Sequence, residues 1–351
     1  MTIAQLIEQI QPLDARAQTE AQARQDQLTK PQGSLGRLES LAHQIAGASA
    51  QARPHLTHKA IVVMAGDHGV VAEGVSAFPQ EVTPQMVMNF LFGGAAINAL
   101  ARHAQARVIV VDMGVAAELP PHPELISKKI APGTANMAQG PAMSREQAEQ
   151  AVLAGAEIIT AQQANGLDIL GLGEMGIGNT TPAAAIAVAL TGHTPAEIVG
   201  RGTGLNDAGV QHKIDIVQQA LDVNQPNPGD ALDVLAKVGG FEIAGLVGAT
   251  LAAAAHRIPV MVDGFITTAA AMLAVKLAPQ VRDYLIASHQ SQEKGHGLML
   301  EWLGLEPLVK LDLRLGEGSG AALGITLADA ACKALDEMAT FAEAAVAGKK
   351  E

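Results

Sequence analysis

The 351-residue sequence predicts an α/β protein built on an open parallel sheet, and three observations carry that prediction. Short apolar runs rich in Val, Ile, Leu and Ala recur at residues 60–65, 107–112, 167–171, 259–262, 284–287 and 308–313. Segments of helical spacing separate them, which is the pattern of strand, crossover helix, strand. Each run ends in a loop of glycine and polar residues: Gly66-Asp67-His68-Gly69, Met113-Gly114, the segment around Glu174, Asp263-Gly264, Ser288-His289-Gln290-Ser291 and Gly316-Glu317-Gly318-Ser319-Gly320. Open parallel sheets bind ligands beyond the carboxyl ends of their strands, so these loops are expected to converge on one crevice.

Before the first run, residues 2–47 are charged and helical in pattern, broken at Lys30-Pro31-Gln32-Gly33 and restarted by Ser34 as a cap. They predict a small helical arm, joined by a linker over 51–59 to the sheet. Residues 224–229 carry the clearest surface turn, and 326–347 predict a long last helix ending at Gly348. That helix is expected beside the N-terminal ones, because chain ends tend to lie together.

Composition narrows the function. Aromatic residues make up 2% of the chain, so Ala, Val, Ile and Leu must fill the core and pack closely through small side chains. A net charge of -12 argues against a nucleic-acid or anionic-membrane partner. The single cysteine, Cys332, excludes an internal disulfide and fits a reducing compartment. The start MTIAQLIEQI lacks a secretory pattern and no apolar stretch is long enough to span a bilayer, so the cytoplasm is the expected location.

The stretch from 167 to 190, LDILGLGEMGIGNTTPAAAIAVAL, reads as strand, glycine-rich loop and helix. Gly171, Gly173, Gly176 and Gly178 predict a loop that opens onto helix amides, with Thr180-Thr181 as cap and Pro182 at the first helical position. Such a place suits a phosphate. Gly171, Gly173 and Gly176 match the letters GxGxxG, but a dinucleotide fold wants its third glycine in the first helical turn and an acid about twenty residues on. Glu197 is the acid at that distance, and it follows Thr194-Pro195 as a helix start. A phosphate loop is therefore the reading. A nicotinamide-dependent oxidoreductase, which predicts tight NADH binding, and a non-catalytic nucleotide sensor are the rival classes.

Other chemistries lose support. There is no GxSxG elbow, no paired metal spacing among the histidines and no GxxxxGK[ST] loop. Asp67-His68 and Ser288-His289 read as hydrogen-bonding turns. What remains is Glu174 and Glu317, each set among glycines. Glu317 follows the run 308–313 and precedes a helical segment, so its carboxylate is expected to enter the crevice with a raised pKa, as a general base. Arg201-Gly202-Thr203-Gly204 and Lys213 predict the second half of an anion cradle. A phosphorylated substrate that is not a triphosphate follows.

The segments KPQGSLGRLE from Lys30, AGDHGVVAEGVSAFP from Ala65, GEMGIGNTTPAAA from Gly173, DVLAKVGGFEIAGLVG from Asp233, PVMVDGF from Pro259, SHQSQEKG from Ser288 and RLGEGSGAAL from Arg314 add a resemblance. In order, and over nearly the whole chain, they resemble the nicotinate-nucleotide:dimethylbenzimidazole phosphoribosyltransferase family of cobalamin biosynthesis. The resemblance implies transfer of the phosphoribosyl group of nicotinate mononucleotide to a benzimidazole, with no cofactor and no metal. It implies a Rossmann-like doubly wound sheet domain over 56–325, a small helical domain from 1–55 and 326–351, and a homodimer. Glu317 would be the general base, and Glu174 would face the ribose or support the base. Gly176, Asn179, Thr180, Gly202, Gly204, Lys213, Ser291 and Arg314 would surround the nucleotide. Phe78, Met86, Met175 and Leu315 would line the acceptor pocket. Phe78 and Met86 stand where relatives have polar Ser and Gln, which would widen the range of acceptors towards other benzimidazoles and phenolic compounds.

Overall fold

A computed structural model describes residues 2–347. Its strands are β1 Lys59–Gly66, β2 Ala106–Gly114, β3 Leu125–Ser127, β4 Ile169–Met175, β5 Val260–Val262 and β6 Leu285–Ala287. They form one six-stranded sheet in the order β3-β2-β1-β4-β5-β6, with every neighbouring pair parallel. The order reverses between β1 and β4, where the crossovers diverge to opposite faces and leave a crevice.

β1 shows why the sheet forms here. All of its residues are buried, and its β-branched run alternates between two cores. Ala60, Val62 and Met64 join the core on one face, while Ile61, Val63 and Ala65 join the core on the other. The first core is covered by α1 Ile3–Ile7, α6 Arg145–Gln163, α7 Thr180–Thr191, α9 Asp207–Asn224, α10 Ala231–Val238, α11 Phe241–Ala255, α12 Phe265–Leu277 and α13 His296–Leu303. The second is covered by α2 Ala15–Gln25, α3 Arg37–Ser49, α4 Val82–Leu91, α5 Ala96–Ala104 and α14 Ser319–Glu337. The short α8 Pro195–Ile198 links α7 to α9. Small-residue packing is as expected: a Cβ on Gly155 of α6 would overlap the backbone of Gly245 in α11, so these helices touch main chain to main chain.

Several local expectations are corrected. Residues 308–313 make no strand; their pairing with 287–292 is one bridge, His289 to Val309, and a few backbone hydrogen bonds, such as Leu308 N–H to the Ala287 carbonyl at 3.0 Å. Lys310, Leu311 and Asp312 are exposed, Leu311 at 54%, and Leu308, Val309 and Leu313 are only partly buried, so no fully buried face holds the segment in a ladder. β3 escaped notice because three residues among Pro120, Pro121 and Pro123 carry no periodic signal. Ser34 does not cap α3; Gly36, with φ 53, does. The last helix starts at Ser319 rather than 326 and stops at Glu337, and Gly348 lies outside the described residues. α14 packs on α3 and α5, and Arg24 Nε donates to the Leu335 carbonyl at 2.8 Å, so the two chain ends do meet. Among the described residues no helix is long and apolar enough to cross a membrane.

The glycine-rich stretch differs most. β4 runs on to Met175, so Gly171 and Gly173 are strand residues and the loop proper is Gly176 to Asn179. α7 then begins at Thr180, with Asn179 at its N-cap position, ahead of Pro182. The glycines of the strand serve packing: Gly171 lies against Ile61, Ala321 and Ile325, and Gly173 against the backbone of Glu317. The absence of side chains at these two positions lets the start of α14 lie flat on the sheet.

Candidate active site

A cavity of about 400 Å³ opens at the carboxyl ends of β4, β5 and β6. Glu174, Met175, Gly176, Asn179, Thr180, Gly202, Ser291, Arg314, Leu315, Glu317, Phe78 and Met86 all line it. The connection after β1 reaches it through Phe78, followed by Val82 and Met86 of α4, while the loop after β2 does not; Asp67 and His68 sit one layer behind. There His68 Nε2 and Glu242 Oε1 are 2.8 Å apart and buried, and His68 backs onto Gly176.

Carboxyls gather on one wall. Glu174 closes β4, is 5% exposed, and its Oε2 accepts a hydrogen bond from Asn179 Nδ2. Burial pushes it up to about 8; the charges of Asp263 and Glu242 add to the rise, and the Asn179 bond opposes it. Asp263, which follows β5, is pushed up to about 7, first by burial and then by Glu317, against the pull of the Gly318 and Ala321 amides. Burial also raises Glu317, while the Ile97 amide, donating to Oε2 at 3.2 Å, pulls the other way. Ile97 is in the first turn of α5, so a helix terminus faces the Glu317 carboxylate. Three carboxyls so close cannot all ionise near neutrality.

A second group of residues is polar and cationic. Thr180 is freed from capping and its Oγ1 accepts from Lys213 Nζ at 2.5 Å. Lys213 lies just behind the lining, 1% exposed, and burial lowers it to about 8 although the Glu293 charge supports its ammonium form. Gly202 does not offer a free amide: its N–H donates to Glu293 Oε1 at 3.0 Å. Gly204 lines a neighbouring cavity of about 880 Å³, which shares Glu293 and Arg314 with the first. Ser291 is fixed by donating its N–H to His296 Nδ1 at 2.8 Å. His296 pairs its Nε2 with the Thr268 hydroxyl at 2.9 Å, and burial, with His289 beside it, lowers it to about 3. It is therefore neutral and a fixed acceptor at Nδ1.

The rest of the lining is largely apolar. Phe78 and Leu315 are 52% and 56% exposed, which is too open for core filling. Met86 and Met175 are partly buried beside the second core, and Val82, Ile177 and Phe265 complete the patch. Flat aromatic ligands suit such polarisable walls.

Sequence reasoning missed Asp263, His289 and Glu293 as lining residues. A signal existed for Asp263: an acid directly after an apolar run and before a glycine, like Glu174 and Glu317. His289 and Glu293 gave none beyond lying in a strand-end loop, since their placement depends on α14 and on the Gly202 turn.

Comparison with known proteins agrees with this geometry. A family model described as phosphoribosyltransferase matches residues 10–346. The nicotinate-nucleotide--dimethylbenzimidazole phosphoribosyltransferase of Chloroflexus aggregans is 58% identical over 349 residues, covering 99% of both chains. That of a Roseiflexus species is 59% identical with the same coverage, 99% of each. The crystal structure of CobT from Thermus thermophilus superimposes with a TM-score of 0.92 at 51% identity, over 95% of this chain and 100% of that one. A parallel sheet in this strand order, a carboxyl-lined cleft at its switch point and relatedness over the full chain place the protein in the phosphoribosyltransferase family.

Proposed function

We propose that the chain transfers the phosphoribosyl group of nicotinate mononucleotide to a ring nitrogen of dimethylbenzimidazole or a related base. The names of its full-length relatives give this donor and this acceptor, and the products would be α-ribazole phosphate and nicotinate. The observation that carries the reading is one cleft that brings together the carboxyls of Glu174, Asp263 and Glu317, the polar groups of Thr180, Ser291 and Arg314 with Lys213 behind Thr180, and an apolar lining.

The acceptor nitrogen bonds to the ribose C1′ while the C1′ bond to the pyridinium nitrogen breaks and its electron pair returns to that nitrogen. Attack from the opposite face inverts the anomeric centre. Nicotinate leaves as a neutral ring and needs no acid. The new N-ribosyl ring carries one proton too many on its second nitrogen, and Glu317 takes it. Glu174 and Asp263, held at about 8 and about 7, are largely or partly neutral near pH 7, which leaves Glu317 to act as the base. Lys213, Thr180 and the Gly176 turn would hold the phosphate, with Arg314 exposed at the rim. Holding both reactants in line removes several kcal/mol of the barrier.

We also propose the division into a large part over 56–325 and a helical part from both chain ends, a homodimer as the working form, and the cytoplasm as compartment. The resemblance and the lone buried Cys332 support these.

A chromatographic assay tests the reaction. Nicotinate should appear one-for-one with ribazole phosphate, and only when a base is supplied. Release of nicotinate without an acceptor, or none with any, overturns it.

A further inference from the structure

Glu317 sits on an unusual piece of backbone. Gly316, Glu317 and Gly318 all have positive φ, at 85°, 64° and 91°. A non-glycine residue in this region costs roughly 1–2 kcal/mol, so the turn does not hold itself. Ser319 closes it locally, giving its amide and its hydroxyl to the Gly316 carbonyl at 3.0 and 2.7 Å. α14, which starts there, has Gly318 at its N-cap position and no side-chain cap of its own. Its open amides are taken instead by Asp263, from the end of a different strand: Oδ2 accepts from Gly318 at 3.2 Å and Oδ1 from Ala321 at 2.9 Å. One carboxylate thus ties the turn to the first turn of the helix.

We infer that Asp263 is a positioning residue for the transfer: by holding the Gly318 and Ala321 amides, it fixes the left-handed turn that aims Glu317 into the cleft. The inference rests on the role of Glu317 proposed above. No other acidic side chain among the described residues caps these amides, and Asp263 is 2% exposed, so water does not substitute for it. Asparagine in its place would keep the size but would offer a single acceptor to two donors.

The test is a double-mutant cycle on the full-length enzyme with both substrates. Asp263→Asn should lower kcat by about 10²-fold, as a misaimed reacting group does, with the KM for nicotinate mononucleotide changed less than about 3-fold. In the Glu317→Gln background the same change should cost less than about 3-fold, because nothing is left to aim. A purely structural role would instead lower the melting temperature and give losses that add. Additive losses, or a normal kcat in Asp263→Asn, overturn the inference while the proposed reaction stands. Normal turnover in Glu317→Gln overturns the inference together with the role of Glu317 as base, and leaves the transfer itself standing. Should Asp263→Asn fail to fold, Ser319→Ala, which removes one bond to the same turn, is read by the same cycle and the same criteria.

Discussion

Gly173 and Glu317 are in backbone contact: the point where a Cβ on Gly173 would stand is 2.8 Å from the Glu317 carbonyl carbon. The floor of the cleft and the turn that carries the base are therefore one packed unit. Gly173→Ala should force the turn upward, since backbone cannot rotate away as a side chain can. We expect a loss of about 1–3 kcal/mol in stability and about 10²-fold in turnover. At Gly171 a Cβ would meet the side chains of Ile61, Ile325 and Ala321 instead. Gly171→Ala should therefore cost stability with near-normal kcat. Thermal melts and turnover of the pair check this; equal activity losses would show that contact with the turn is immaterial.

Glu174 makes the fold sensitive to alkali. Below its ordinary value of 4.5 its carboxyl is neutral in folded and unfolded chains alike. Between there and about 8 the unfolded chain ionises while the folded one holds its proton, so stability falls as pH rises. Glu174→Gln is neutral throughout and should be more resistant to denaturant than wild type at pH 9 by up to about 4 kcal/mol, with little difference at pH 4. Denaturant titrations across that range measure it. Parallel curves would mean that Glu174 is ionised in the fold.

How much of this was legible in the sequence depends on what each residue reports. β1, β2 and β4 declared themselves because their apolar runs are buried on both faces, and a doubly buried strand needs no partner to be recognised. Leu308 to Leu313 imitated such a run, yet Lys310 and Asp312 interrupt it and none of its residues is fully buried. Gly171 and Gly173 read as loop residues because a glycine's letter does not say whether it bends the chain or makes room for another. Here the second holds, and the reason lies more than a hundred residues away in α14. Glu317 was singled out as a carboxylate among glycines between an apolar run and a helical segment; the run is no strand, but the helix is real and the carboxylate does enter the cleft. Asp263 was expected only as part of a strand-end loop; its bonds to the Gly318 and Ala321 amides are what no side-chain pattern records.

Lys213 should give nucleotide binding its own pH dependence. Its ammonium is present below about 8 and lost above it, because burial lowers its affinity for the proton. A phosphate held partly by that charge should bind more weakly as pH rises through this value. The KM for nicotinate mononucleotide is expected to climb by about 10-fold between pH 7 and 9 in wild type. In Lys213→Met it should start high and stay level. A wild-type KM that is flat over this range would remove Lys213 from the cradle.

If the apolar lining receives the acceptor, Phe78 and Met86 should influence which acceptors enter. The Phe78 ring is half exposed at the mouth of the slot, and Met86, like Met175, lies against the second core, so together they present a surface that makes no hydrogen bond to an incoming ring. An acceptor is then selected by shape and polarisability, and a phenolic ring is not penalised for lacking the ring nitrogens of a benzimidazole. Replacing both with polar residues, as Phe78→Ser and Met86→Gln, would place donors and acceptors there that such a ring leaves unpaired, at a cost of about 1–3 kcal/mol. Competition between dimethylbenzimidazole and a phenol should therefore shift at least about 10-fold towards the benzimidazole in the double variant. Identical preferences in the two enzymes would reduce Phe78 and Met86 to filler.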